Sequence, residues 1–350
     1  MTAEFTLRPL ESADSASIAR LRDETPDTGT IAFKSTFLHD PYELVMNALP
    51  NSTGVVAQAS DYEGIVGLGL LRFGEARYEG ETRPYAYLNG LSVHPNYRRK
   101  GIASALAHWR VEKAKEKFGE RVVIYAGVQS NNDGSFGAAK GWSQQQIDRT
   151  RVGAVSVRTQ PPTALDGWEV RTINPADYEQ VAERQNSFYH DFNFYQPYTA
   201  DQLHAWLEHK LVGINAHTYY VAVNREGHIG AGIGVYREGE FSRLTLVKMP
   251  AFMRVLNAFL KVIPSDGVMK RAVIKNYWFE NPEIGNYLWE TVRWLCRDTA
   301  TNLMIFYDRN PLPKFEEAIK FPRLSVKATG SLVVSAPVPM SEERPIYFDM

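Results

Sequence analysis

Arg98-Arg99-Lys100-Gly101 stands directly before Ile102-Ala103-Ser104, three cations and a glycine at the start of a helical pattern. Ile102, Leu106, Trp109, Val111 and Ala114 carry that pattern to Phe118, ahead of Gly119. Ile102, Ala103 and Ser104 then occupy the first turn, where backbone N–H groups have no partner inside the helix. Those donors and the helix dipole favour a bound phosphate. Gly101 permits positive φ or close approach of a ligand to the backbone. The chemistry is that of an anion site. Metal chemistry has no comparable signal: His190, His204, His209 and His217 lack ligand spacing with cysteines or acids, so no metal is expected.

A strand must deliver this turn. Tyr87-Leu-Asn-Gly-Leu91-Ser92-Val93 has the pattern, and Pro95 ends it because proline cannot donate to a ladder. Downstream, Arg121–Val128 reads as a buried strand and Ser135–Ala139 as a short helix before Lys140-Gly141-Trp142. The design repeats. Phe5-Thr-Leu-Arg8 through Asp14 aligns with Trp168-Glu-Val-Arg171 through Asp177, and Val55–Gly69 aligns with Tyr220–Gly232. Phe5 with Trp168 and Gly64 with Gly227 share one offset, 163 residues. Asp14 and Asp177 are expected to cap the helices that follow. The chain therefore divides into 1–158 and 164–350, joined near Pro161-Pro162, each half beginning as a βαββ unit of an α+β fold with a mixed sheet.

Composition narrows the class. The 350 residues carry 39 Lys and Arg against 40 Asp and Glu, a net charge of −1, so no basic surplus points to nucleic acid. The one cysteine, Cys296, cannot form an internal disulfide and suits a reducing compartment. Cys296 falls on a stripe with Trp289, Val292 and Leu295 and reads as core. No apolar run reaches the ~20 residues that span a bilayer, and the N-terminus lacks a signal-peptide pattern. A cytoplasmic protein without membrane or nucleic-acid partners is expected.

The cation turn and its flanks resemble the GNAT family of acetyl-CoA-dependent N-acetyltransferases. The family motif (Arg or Gln, two residues, Gly, one residue, Gly or Ala) stands here as Arg98-Arg99-Lys100-Gly101-Ile102-Ala103, after Leu91-Ser92-Val93-His94-Pro95-Asn96-Tyr97. The resemblance spans roughly residues 4 to 150, more faintly the second half. It implies two tandem GNAT-like domains and transfer of an acetyl group from acetyl-CoA to a primary amine of a small molecule or peptide. It also implies that the N–H of Leu91 polarises the thioester carbonyl and that Val93 pairs with the pantetheine arm. The amides of Gly101 to Ser104 would hold pyrophosphate, and Asn132 would contact the cofactor.

Two departures stand out. The tyrosine that relatives use as acid would fall at Gly137 or Ala139, and the strand before Leu91 offers Tyr87 and Asn89 instead of a basic Glu. Glu24, Glu79 and Glu81 are alternative acids. The apolar tail Pro345–Met350 could bring the Met350 carboxylate to the site, as in tandem-domain relatives. In the second half Pro282 stands where Arg98 would be, with Gly285 matching Gly101, so that copy is expected to be degenerate. The aromatic insertion Tyr189–Gln196 is expected to pack a face between domains, or else to line a cleft there. A non-catalytic acyl-CoA sensor, or an interaction protein, is the rival class.

Overall fold

The computed structural model describes residues 4–26, 32–130, 132–260, 263–309, 314–321 and 327–348. The order begins β1 (Phe5–Pro9), α1 (Ser15–Glu24), β2 (Ala32–Phe37), α2 (Pro41–Asn47), β3 (Ser52–Ala59), β4 (Gly67–Tyr78) and β5 (Glu81–Val93). It continues α3 (Ile102–Phe118), β6 (Val123–Gln129), α4 (Asp133–Ala139), β7 (Gln145–Ser156), β8 (Trp168–Thr172), α5 (Tyr178–Phe188) and α6 (Ala200–Leu207). Then come β9 (Lys210–Leu211), β10 (Ile214–Asn215), β11 (His217–Asn224), β12 (Ile229–Tyr236), β13 (Ser242–Lys248), α7 (Ala251–Leu260) and β14 (Val268–Met269). The last are β15 (Arg271–Phe279), α8 (Pro282–Leu295), β16 (Asn302–Asp308), α9 (Lys314–Ile319) and β17 (Lys327–Ser335). No described helix is long and apolar enough to cross a membrane.

Two compact units result, and neither is contiguous in sequence. The first takes Met1–Thr150 with Leu244–Met249 and Thr329–Glu342; the second takes Arg151–Arg243, Pro250–Ala328 and Glu343–Met350. In the first, strands run β1-β3-β4-β5-β6-β17. Neighbours are antiparallel except β5 and β6, a parallel pair that requires the crossover α3 supplies. One face of the sheet buries Ile102, Leu106, Val111 and Ala114 of α3. The other buries Ile18 and Leu21 of α1 against Leu10, Val56, Leu68 and Leu70.

The second unit repeats the scheme in the order β16-β15-β12-β11-β8, with β15 and β16 parallel and α8 between them in sequence. Leu288, Trp289, Val292 and Cys296 of this helix region are buried, and burial pushes the Cys296 thiol up to about 12. Tyr189, Phe192 and Tyr195 belong to the same core. Rings of the aromatic insertion thus find partners inside their own unit, in Tyr347 and Phe188.

The repeat has a structural signature. Arg8 grips Asp14 through both Nη atoms at 2.7 and 2.6 Å, and Arg171 grips Asp177 at 2.6 and 3.0 Å. Each carboxylate also accepts a backbone N–H, from Glu11 at 3.0 Å and from Asn174 at 2.7 Å. Both aspartates stand at helix N-cap positions, as expected, but their side chains make no cap bond. They turn back instead, since a two-pronged guanidinium outcompetes a single amide.

The Arg171 hydrogen bond holds the Asp177 carboxyl below the usual range, against desolvation. Because the folded state favours the charged form, this stabilisation is present above about pH 4 and is lost as pH falls through the lower folded value. Asp177→Asn is expected to lower stability at pH 7 by about 1–2 kcal/mol. It should cost much less at pH 2, as read from urea melts at both values.

Candidate functional site

The described ladder between β5 and β6 has three rungs, ending at Tyr87↔Tyr125. Both strands continue past it, to Val93 and Gln129. The sheet therefore forks, and β5 presents a strand edge to the gap from Leu88 onward. At the fork Tyr87 and Tyr125 stack with ring centroids 5.0 Å apart. The register that pairs them is invisible in the sequence, which offers Tyr87 and Tyr125 as unrelated strand residues.

A bulge shapes the edge. The β4–β5 register shifts between Leu68 and Leu70, opposite Gly90 at φ 60°. It turns Leu91 and Val93 toward Ile102, Leu106 and Tyr97, whereas Asn89 stays on the opposite face. Arg110 of α3 pins this bulge from behind. Its Nη1 donates to the carbonyls of Leu70 and Asn89, both at 3.1 Å, and its Nε donates to Leu106 at 3.0 Å. The side chain is 2 % exposed. Gly69 makes room for it: a Cβ there would lie 2.9 Å from Nε. Desolvation draws the guanidinium down to about 10, so it remains a cation at neutral pH. The signal was available, since Ile102, Leu106, Arg110 and Ala114 recur every fourth residue on the buried stripe of α3.

The cation turn follows. Pro95–Tyr97 forms one 3-10 turn, and Arg98 Nε ties back to the Val93 carbonyl at 3.2 Å. Lys100 Nζ lies 4.4 Å from the Tyr97 ring centroid, a cation–π contact. Arg99 at φ 62° and Gly101 at φ 85° reverse the chain into α3. The first helical bond is Ala105 N–H to the Gly101 carbonyl at 3.0 Å. The N–H groups of Ile102, Ala103 and Ser104 thus lack partners in the helix, and the glycine N-cap has no side chain to take them. A Cβ on Gly101 would meet nothing within 4 Å. Open space surrounds that Cβ position.

The structure so brings Leu91, Ser92, Val93 and Arg98 through Ser104 to one end of the sheet. Asn132 caps α4, its Oδ1 accepting the Ser135 N–H at 3.0 Å. Gly137 and Ala139 of α4 supply no acid. Glu24 binds the Tyr62 hydroxyl at 2.6 Å and His94 Nε2 at 3.2 Å, beside the cation turn. Glu79 and Glu81 are excluded as site residues: they lie at the β4–β5 hairpin turn, and ten residues of strand separate Glu81 from Leu91 by about 33 Å. Met350 lies outside the described residues.

Among the described residues, the second unit closes both features that the first leaves open. Asn281 caps α8, its Oδ1 accepting the N–H groups of Glu283 and Ile284 at 3.1 and 3.0 Å. Its β15–β16 ladder ends at Ile274↔Ile305. Ile346, Tyr347 and Phe348 of the tail line the space beyond, leaving a void of ≈ 20 Å³, room for one water. The tail is bonded in place. Ile346 N–H donates to Asp308 Oδ2 at 2.9 Å, Tyr347 N–H to the Asn193 carbonyl at 2.9 Å, and the Tyr347 hydroxyl to Asn276 Oδ1.

Residues 19–140 match the model of the acetyltransferase (GNAT) family. No curated protein matches by sequence. Among solved structures the chain is similar to Saccharomyces cerevisiae N-myristoyltransferase with bound myristoyl-CoA, at TM-score 0.61 and 12 % identity over 96 % of this chain and 80 % of that one. It is similar to a GCN5-related N-acetyltransferase from Sphaerobacter thermophilus, at 0.60 and 15 % over 96 % and 97 %. It is also similar to a tandem GNAT protein from the clavulanic acid biosynthesis pathway, at 0.59 and 16 % over 96 % and 100 %. At these identities the likeness is one of fold, and it extends over both units. Residues 19–140 thus match the acetyltransferase (GNAT) family model, within a chain whose fold is that of tandem GNAT proteins.

Proposed function

We propose that the first unit binds acetyl-CoA and transfers its acetyl group to a primary amine on a small molecule or peptide. The observation that carries this reading is the pairing of an open strand fork with an uncapped helix N-terminus, both of which the second unit fills. Acetyl-CoA would supply an activated thioester. The chain's own residues do the rest. Amides of Ile102 to Ser104, with Arg98 and Arg99 near by, hold the pyrophosphate. Val93 offers its backbone to the pantetheine amide groups as an added strand would. Leu91 N–H, aimed by the bulge, donates to the carbonyl oxygen as negative charge grows there. Tyr87 and Tyr125, stacked where the ladder ends, are the residues this reading assigns to protonate the leaving thiolate. The second unit, capped and plugged, binds no acyl-CoA in this reading.

Coenzyme A release over a panel of primary amines tests it. Turnover with at least one amine is expected, alongside a single acetyl-CoA site per chain by calorimetry. Absence of acetyl-CoA binding would sink the proposal. The sensor reading draws on the departure at Gly137 and Ala139, the positions at which the family resemblance would put a tyrosine. Binding without turnover on any acceptor would favour it.

A further inference from the structure

We infer that α7 docks the protein onto an anionic lipid surface. In a globular protein the apolar stripe of a helix faces inward. Here it faces out: Phe252, Val255 and Phe259 are 70, 64 and 79 % exposed. Their spacing, i, i+3 and i+7, puts them on one stripe, with Ala251 and Ala258 exposed beside them. The helix is held in this rotation. Asn257, off that stripe, donates through Nδ2 to the Ile263 carbonyl at 2.7 Å and accepts the Ile263 N–H at 2.8 Å. Ile263 is itself buried. A polar side chain thus anchors the helix while its apolar stripe projects.

Charge indicates what covers the stripe. From Phe241 to Ser265 the chain has four cations, Arg243, Lys248, Arg254 and Lys261, and no acid, in a protein whose net charge is −1. Arg254 is exposed on α7 itself. A second copy meeting this face by two-fold symmetry would bring like charges together. Three projecting side chains also fall short of the ~800 Å² per partner that a stable protein interface buries. An anionic bilayer surface satisfies both kinds of group: the rings and Val255 enter the headgroup–acyl boundary, and Arg254 stays among phosphates. At ten residues α7 is about 15 Å long, half a hydrocarbon core, so it lies on the surface and does not span it. This docking does not depend on the acyl-transfer reading.

Co-sedimentation of the full chain with extruded vesicles tests it, using phosphatidylcholine alone and phosphatidylcholine mixed with phosphatidylglycerol. Binding to the mixed vesicles, weakened by salt, is expected, with little binding to the neutral ones. Arg254→Gln should weaken it about fivefold. Phe252→Ser with Phe259→Ser should weaken it at least about tenfold. Both sites are exposed, so thermal melts should match the parent. Lack of binding to the anionic vesicles overturns the inference, as do variants that bind like the parent. A concentration-dependent dimer in sedimentation velocity, abolished by the double serine variant, would instead assign the face to self-association.

Discussion

Replacing Gly101 with valine is expected to weaken acetyl-CoA binding at least about a hundredfold, close to 2.7 kcal/mol, while the protein still folds. Two effects combine at this position. The residue holds φ 85°, where a β-branched side chain is strained by about 1–3 kcal/mol. The added side chain also enters open space at the residue that directly precedes the amides of Ile102, Ala103 and Ser104, where the proposed pyrophosphate would approach. Gly119 supplies the control. It stands at the other end of the same helix at φ 68°, again with nothing within 4 Å of a built Cβ. Gly119→Val should impose at least as much strain, since its ψ of −163° lies outside the left-handed region that Gly101 occupies at ψ −6°, and should leave calorimetric binding unchanged. Equal losses in the two variants would mean that strain alone weakens binding, and that the Gly101 turn is not the anion site.

Arg110→Met is expected to lower stability by about 3 kcal/mol, roughly 6–12 °C in melting temperature for a unit of this size. The replacement leaves the carbonyls of Leu70 and Asn89 buried without their described donor, at about 1–3 kcal/mol each. Part of that is recovered, because a guanidinium whose described hydrogen bonds all go to carbonyls no longer has to be desolvated. A functional consequence follows from geometry. The same two carbonyls flank the bulge that aims Leu91, so acetyl-CoA affinity should fall about tenfold even at temperatures where the variant is folded. Arg98→Met is the contrasting case: exposed and, among the described residues, tied to the Val93 carbonyl alone, it should weaken binding without moving the melt. A thermally unchanged Arg110→Met would show that the buried cation is dispensable to the fork.

Much of the site was legible because its signals are local. Helix α3 begins at Ile102 and stops before Gly119, as spacing and glycine placement require, and Val93 ends its strand two residues before Pro95. The repeat was legible for the same reason. Arg8 with Asp14 and Arg171 with Asp177 lie six residues apart in both copies, and each pair closes the turn it spans. Glu79 and Glu81 show the limit. Their proximity in sequence to the strand that carries Leu91 suggested a place in the site, but an extended strand converts ten residues into about 33 Å.

What the sequence by itself determined is the chemistry at one helix N-terminus: a glycine cap, unpartnered amides and three cations, all within seven residues. What only the tertiary structure decided is which groups stand around it. The fork between β5 and β6, the Tyr87–Tyr125 stack, the carbonyls bound by Arg110 and the tail seated beyond β15 each join residues far apart in the chain. Such contacts depend on strand register and on which segment fills a gap. A period of two or of 3.6 residues records neither, because it reports which face a residue occupies and not what it meets there.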